Sequence, residues 1–424
     1  MRKRPASILC TVLFLAMPVA GDEGGLAEQV RELLDIQNRQ AEQIDQLQRE
    51  LAALREGQTG LEEAQTALKE ESAGPDDLLS WAKRVKFHGD LRYRHEYIDA
   101  EHLKDRTRHR IRARLGASAK LSETVDVAIQ LATGCDDPVS RNQTLDGAFA
   151  AKDVWIDLAY FDWHPETPEG LHVIGGKMKN PFYVPGKSEL IWDHDLNPEG
   201  LAVTYRDTWD RVDCFGNLGG FWVDENGCGG DTCLYGAQIG AKYNITDTVS
   251  VLGGVGVFKY DHTRCRGVFH EDFFGNSTRL TDYSDPDSVR LYVEDYTELE
   301  LFAEVGLKVG GIPVCLVGDY VENLDADDDK VGWLLGITLG KCKDKGSWEG
   351  RYCYRELERD AVFGVFTDSD FIGGGTDGQG HEINLGYQLS KRVKLGATYF
   401  ITAAGLDGPS HDYDRLQLDA EFKF

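Results

Sequence analysis

After residue 21 the sequence has no apolar run of about 18 residues, so it offers no stretch that could cross a membrane as a helix. Positive charge is scarce: 46 Lys and Arg stand against 72 Asp and Glu, a formal net charge of -26. That balance excludes a general nucleic-acid binder and argues against a surface built for anionic lipid. Much of the acid falls in stretches that read as loops, such as Asp282 to Asp287 and Asp325 to Asp329, where solvation is reason enough for it. A Gly-rich phosphate loop, a metalloprotease helix and a nucleophile elbow are all missing, and no residue pattern asks for a cofactor. Metal motifs fail on inspection. Asp193-His194-Asp195 has no nearby residue to complete a ligand set. Asp325, Asp327 and Asp329 imitate the opening of a calcium loop, but Lys330 stands where a glycine is needed and the closing Glu is absent.

The N-terminus carries Arg2, Lys3 and Arg4, then an apolar run from Ile8 to Ala16 and the small residues Ala20 and Gly21. This is the pattern of a secretory signal peptide over residues 1–21, and Cys10 sits inside its apolar run. Of the nine cysteines, eight then remain, an even count that permits disulfides in an exported chain. Cys228 and Cys233 could close a loop tip; the other pairings stay open. Within residues 22–74, Leu26, Leu33, Leu47, Leu54, Leu61 and Leu68 repeat at heptad spacing, broken once by Gln40, with Val30, Gln37, Ile44, Leu51, Gln58 and Gln65 on the companion position. The spacing predicts a coiled coil, and a helix this polar implies association with copies of itself. Gly74-Pro75 ends it, and residues 75–85 form a linker.

From residue 86 to residue 424 the period is two. In Arg415 to Phe424, Leu416, Leu418, Ala420, Phe422 and Phe424 share one face while Arg415, Gln417, Asp419, Glu421 and Lys423 share the other. Lys86–Ile98, Arg108–Leu121 and Thr124–Thr133 repeat the pattern, and further candidates bring the strands to about sixteen. Connectors alternate between short ones, such as Ser122-Glu123 and Gly310-Gly311, and long ones, notably Asn180 to Glu199, Asp261 to Asp295 and Glu358 to His381. Two-sided strands with loops long at one end predict an all-β antiparallel transmembrane barrel, the one alternative to helices in which lipid leaves no backbone group unpaired. Both ends of the strand region then lie on the turn side, which places the coiled coil in the periplasm. Trp348, Tyr352, Tyr354, Tyr399, Phe422 and Phe424 fit aromatic girdles on the outer face.

Arg108, Arg110, Arg112 and Arg114 project from one strand to one side, joined by Arg92 and Arg94 from its neighbour. Such a row cannot face lipid, where each charge costs about 2–4 kcal/mol at mid-depth. It either lines a water-filled pore as a positive wall or pairs with lumen acids such as Asp90, Asp126 and Asp157, and the two readings are compatible. The loop from Asn180 to Glu199, third on its side, is the candidate to fold inward as a constriction, with Lys187, Glu189, Asp193 and Asp195 as its charges. A positive wall at the narrowest point predicts a mild anion preference, since the ion passes within a Debye length of about 8 Å.

Phe87-His88-Gly89-Asp90-Leu91-Arg92-Tyr93-Arg94, the segment Arg106 to Leu115, and Gly175-Gly176-Lys177-Met178-Lys179-Asn180-Pro181-Phe182 are similar to the putative-porin family of bacterial outer membranes. The resemblance implies a sixteen-stranded barrel, a homotrimer in outer-membrane lipid and passive diffusion of small hydrophilic solutes. A closing Phe424 resembles the C-terminal signal that barrel-assembly machinery reads. Phosphate-selective porins are a related possibility, although their lysine-rich affinity sites are not evident. Two rivals remain, a membrane-embedded hydrolase with a Ser–His pair on its wall and a barrel whose coiled coil tethers the envelope.

Overall fold

The computed structural model describes residues 45–55, 84–227, 230–282, 284, 288–406 and 408–424. Residues 45–55 are helical and leave Leu47, Leu51 and Leu54 exposed, the seam that heptad spacing would place against a partner. The signal peptide, the rest of the 22–74 coiled coil and linker residues 75–83 lie outside the described residues, as does Cys228. The other seven cysteines after Cys10 are unpaired thiols.

Residues 84–424 belong to a second unit built on sixteen antiparallel strands. These are β1 (Val85–Ala100), β2 (Arg106–Lys120), β3 (Val125–Thr133), β4 (Val154–Trp163), β5 (Leu171–Lys177), β6 (Glu199–Trp209), β7 (Val212–Asp224) and β8 (Thr232–Thr246). There follow β9 (Val249–Asp261), β10 (Tyr296–Val309), β11 (Ile312–Asn323), β12 (Val331–Gly340), β13 (Trp348–Leu357), β14 (Gly378–Ser390), β15 (Val393–Ala404) and β16 (His411–Lys423). Each pairs with its sequence neighbours, and β16 returns to β1 in a register running from Asp90↔Lys423 to Ala100↔Tyr413. The sheet is a closed barrel with no edge left unpaired. Among the described residues no helix is long and apolar enough to cross a membrane.

Alternation decides which face each residue takes. Leu91, Tyr93, Tyr97, Leu115, Ile129, Leu218, Ile239 and Phe422 are exposed on the outside, where lipid is their solvent. Their neighbours Arg92, Arg94, Arg112 and Gln417 turn inward and are buried. Turns such as Gly310-Gly311, both at positive φ, join strands at one end, as a tight two-residue hairpin requires. The difference in connector length rests on four loops at the other end, residues 134–153, 178–198, 262–295 and 358–377. In the first, Gln143–Thr144 forms a short extra strand that pairs with β2 where β3 stops.

The interior is not uniformly wet. Phe182, Leu190 and Trp192 from the 178–198 loop and Phe363 and Val365 from the 358–377 loop are buried against Phe221, Phe258 and Val317 of the wall. Apolar packing fills the side of the lumen next to β7–β13. Buried acids are found there too, Glu298, Glu300 and Asp319 among them, but the arginine-rich ionic cluster lies on the opposite wall, along β13–β16, β1 and β2.

Candidate functional site

The register sets like charges opposite one another: Arg92 faces Arg112, and Arg94 faces Arg110. Directly opposed like charges are destabilising unless counter-charge intervenes. The barrel supplies it. Asp90, opposite Arg114, accepts from Arg114 at 2.7 Å and from Arg112 at 3.1 Å. Glu96 is fully buried, takes the guanidinium of Arg108, and lies 2.8 Å from Arg415, 3.6 Å from Arg94 and 3.8 Å from Arg110. Arg94 forks onto Asp419 at 2.7 and 2.8 Å, and Asp370 joins Arg94 at 3.0 Å and Arg415 at 2.7 Å. Arg110 donates to the Asn142 carbonyl at 3.3 Å. Arg92 differs from the other five: it donates to Asn142 Oδ1 at 2.7 Å, and no ion pair forms on it among the described residues.

The constriction candidates lie in the 178–198 loop, which enters the lumen. Its descent is held by wall side chains. Gln238 of β8 accepts from the Tyr183 N–H at 2.7 Å and donates to the Tyr183 carbonyl at 2.9 Å. Glu304 of β10 accepts from the Tyr183 hydroxyl at 2.8 Å and from the Gly186 N–H at 2.7 Å, and Asp319 of β11 accepts from Ser188 at 2.8 Å. Gly186 has φ +57, and a Cβ there would lie 2.8 Å from Val317, so the loop touches the wall through a residue without a side chain. Phe182 stacks on Trp192, with centroids 6.0 Å apart, and meets Phe258 edge-on at 4.8 Å.

Past that anchor the loop turns its charges toward β13–β2. Lys187 reaches Glu349 at 3.2 Å, and Glu189 pairs with His194 at 2.5 Å. The Asp193 carboxylate accepts N–H bonds from Asp195 at 2.7 Å and Ser369 at 3.0 Å. Asp195 crosses to Arg112 at 3.4 Å and Arg114 at 3.6 Å. Burial alone would raise the Asp195 carboxyl, but Arg112, Arg92 and Arg114 outweigh it and hold it down at about 2. Its neighbour Asp193 is pushed well above the usual carboxylate range by burial and then by Glu189 and Asp195. Glu189 raises the His194 imidazole against the effect of burial.

The 358–377 loop braces this arrangement from above. Arg355 of β13 donates to the Glu189 carbonyl at 3.1 Å, pairs with Asp368, and lies 3.9 Å over the Phe371 ring. Burial raises Asp368 to about 6 despite Arg355. Between the loops and this wall lies a cavity of about 290 Å³. Arg92, Arg94 and Arg112 line one side and Glu189, Asp193 and Asp195 the other, so the two groups of sequence candidates border one space. Counting all its lining residues, nine carboxylates face six Lys and Arg side chains. Arg108, Arg110 and Arg114 do not line it.

Of the acids expected as partners, Asp90 takes two ladder arginines, Asp157 binds Arg141 at 2.6 Å instead, and Asp126 lies 3.7 Å from His164. The sequence reading did not single out Asp370 or the inward fold of its loop. The signal was available in Ala361-Val362-Phe363-Gly364-Val365-Phe366, an apolar run without strand alternation inside a connector, which water would not tolerate. Among the described residues, neither Asp193-His194-Asp195 nor Asp325, Asp327 and Asp329 brings three ligand atoms together.

The family model described as "Putative porin" matches residues 97–290 and 292–424. Among solved structures, the chain is similar to Pseudomonas putida OprB at high pH, with TM-score 0.55 and 12% identity over 82% of this chain and 96% of that one. It is also similar to Salmonella typhi OmpF in complex with daunomycin, with TM-score 0.49 and 11% identity over 80% and 97% of the two chains. A loop-deletion mutant of OmpT, an outer membrane protein of Vibrio cholerae, gives TM-score 0.48 and 15% identity over 80% and 99%. At such identity the OprB likeness speaks to the fold alone. No curated protein sequence matches this chain.

Proposed function

Because the chain belongs to the putative-porin family and forms an outer-membrane β-barrel, we propose that small hydrophilic solutes diffuse passively through it, along the slit between the 178–198 loop and the β13–β2 wall. The observation that carries this reading is the 290 Å³ cavity with opposed rows of charge. Such a slit sets a transverse field that orients dipolar solutes.

The mild anion preference suggested by the arginines alone loses its support, because five of the six are engaged by carboxylates. With nine carboxylates around the slit against six Lys and Arg, local charge favours cations weakly, and of the six ladder arginines Arg92 is the one left, beside Lys394, to interact with a passing anion. Association into trimers through residues 22–74, export by residues 1–21 and recognition of Phe424 by assembly machinery belong to the same proposal. Purified protein in planar bilayers under a salt gradient tests it. Steady ohmic conductance with a reversal potential of cation sign is expected, and Arg92→Gln should deepen that sign. A sealed bilayer would overturn the channel; clear anion selectivity would overturn the charge argument alone.

A further inference from the structure

At the loop end of the seam where β16 closes on β1, the chain gathers the adjacent Glu101 and His102 with His411, more than 300 positions further on. One ligand atom from each lies within 4.8 Å of the other two. We propose that these three residues form a binding site for a divalent transition metal ion of the zinc or copper type, at the outer rim and away from the slit.

The donor set speaks for that class of metal. Two imidazole nitrogens and one carboxylate oxygen suit zinc, copper or nickel, whereas calcium and magnesium take oxygen ligands. Three protein ligands leave one position open to water, the usual plan of an accessible zinc site. Ligand atoms around a tetrahedral ion at about 2.0–2.2 Å sit closer together than 4.8 Å, so the site must tighten on binding. The three side chains are exposed, so no packed neighbour has to give way.

The backbone beneath them is already fixed. The Glu101 N–H donates to the Asp412 carbonyl at 2.9 Å, which continues the β1–β16 ladder by one step. In return the Asp412 N–H donates to Glu101 Oε2 at 3.2 Å, leaving Oε1 turned to His102 Nε2 at 3.4 Å. One carboxylate oxygen is thus held in place while the other is presented, the outer-shell arrangement that orients a metal ligand. The His102 and His411 rings meet edge to face with centroids 5.5 Å apart, so the two imidazoles are neighbours before any ion is bound.

The test uses the full chain without a histidine tag, folded in detergent and stripped with chelator, then titrated with zinc chloride by calorimetry. Saturation at one equivalent per chain is expected, with affinity at least tenfold lower in His102→Gln, in His411→Gln and in Glu101→Gln. His262→Gln, an exposed histidine of another loop, should bind as the parent does. Zinc should also raise the unfolding midpoint of the parent and of His262→Gln but not of the three site variants. Absence of binding overturns the site, as does binding that the His102 and His411 variants leave unchanged. Both readouts are independent of conductance, so a sealed barrel that binds zinc would still uphold the site.

Discussion

Glu96 has no exposed side-chain surface, and four guanidinium groups lie within 4 Å of it. Sequence alternation turns this residue inward with Asp90, but gives no hint that it would serve Arg94, Arg108, Arg110 and Arg415 together, because Arg415 is 319 positions away. A buried charge that loses its partner costs about 3–5 kcal/mol. Glu96→Gln keeps the shape and removes the charge, leaving Arg94 to Asp419 and Asp370, Arg415 to Asp370, and Arg108 and Arg110 with no carboxylate within 4 Å among the described residues. The expected outcome is a barrel destabilised by about 3 kcal/mol or more, measured as a lower temperature for loss of the compact folded band in gel-shift assays. The arginine row was legible as a hydrated face because a charge cannot enter lipid. Pairing with lumen acids was legible too, and Asp90 takes two of the arginines; the parts of Glu96, Asp370 and Asp419 were not, since those acids meet the row through other strands and a loop whose path no periodicity records.

At the scale of the element, the strands were legible from their period and the 178–198 loop only from its place in the order of connectors, while the 358–377 loop was not legible. Strands announce themselves by a period of two, and a one-residue slip would turn Arg110 and Arg112 onto lipid, so pattern and register are tied. Loops 178–198 and 358–377 carry no period. What places the first is a set of single contacts: Gln238 on Tyr183, Glu304 on Gly186, Asp319 on Ser188. Gly186 is the tightest of them. A valine there meets Val317 and must also adopt φ +57, which a β-branched side chain resists. Gly186→Val should lift the loop from the wall while the strands stay paired. Single-channel conductance is expected to rise, and limited proteolysis to cut between residues 183 and 195 where the parent resists.

For the whole molecule, the barrel of residues 84–424 satisfies its own backbone and needs no partner to close. The helix 45–55 leaves its leucines bare, and on the proposed association a partner helix would cover them. Deleting residues 22–74 should therefore lower the oligomeric mass in detergent, measured by light scattering, while the purified chain keeps its β-rich circular dichroism spectrum and its conductance per barrel. An unchanged mass would shift the task of association to the barrel's outer face. Sixteen strands set the girth of the wall, yet the apolar packing of two loops decides how much of it carries water. Strand number alone would overstate the size of the hole.

The β1–β16 seam has a consequence for manufacture. Asp90 and Lys423 are partners across 333 positions, so every intermediate short of closure is a curved sheet with two live borders, each able to recruit the next unfinished copy. Whatever escorts this chain to its membrane must keep those borders apart from their neighbours until the last strand docks. Damage to that final segment would then be felt first as clumping in transit, before any question of permeation arises.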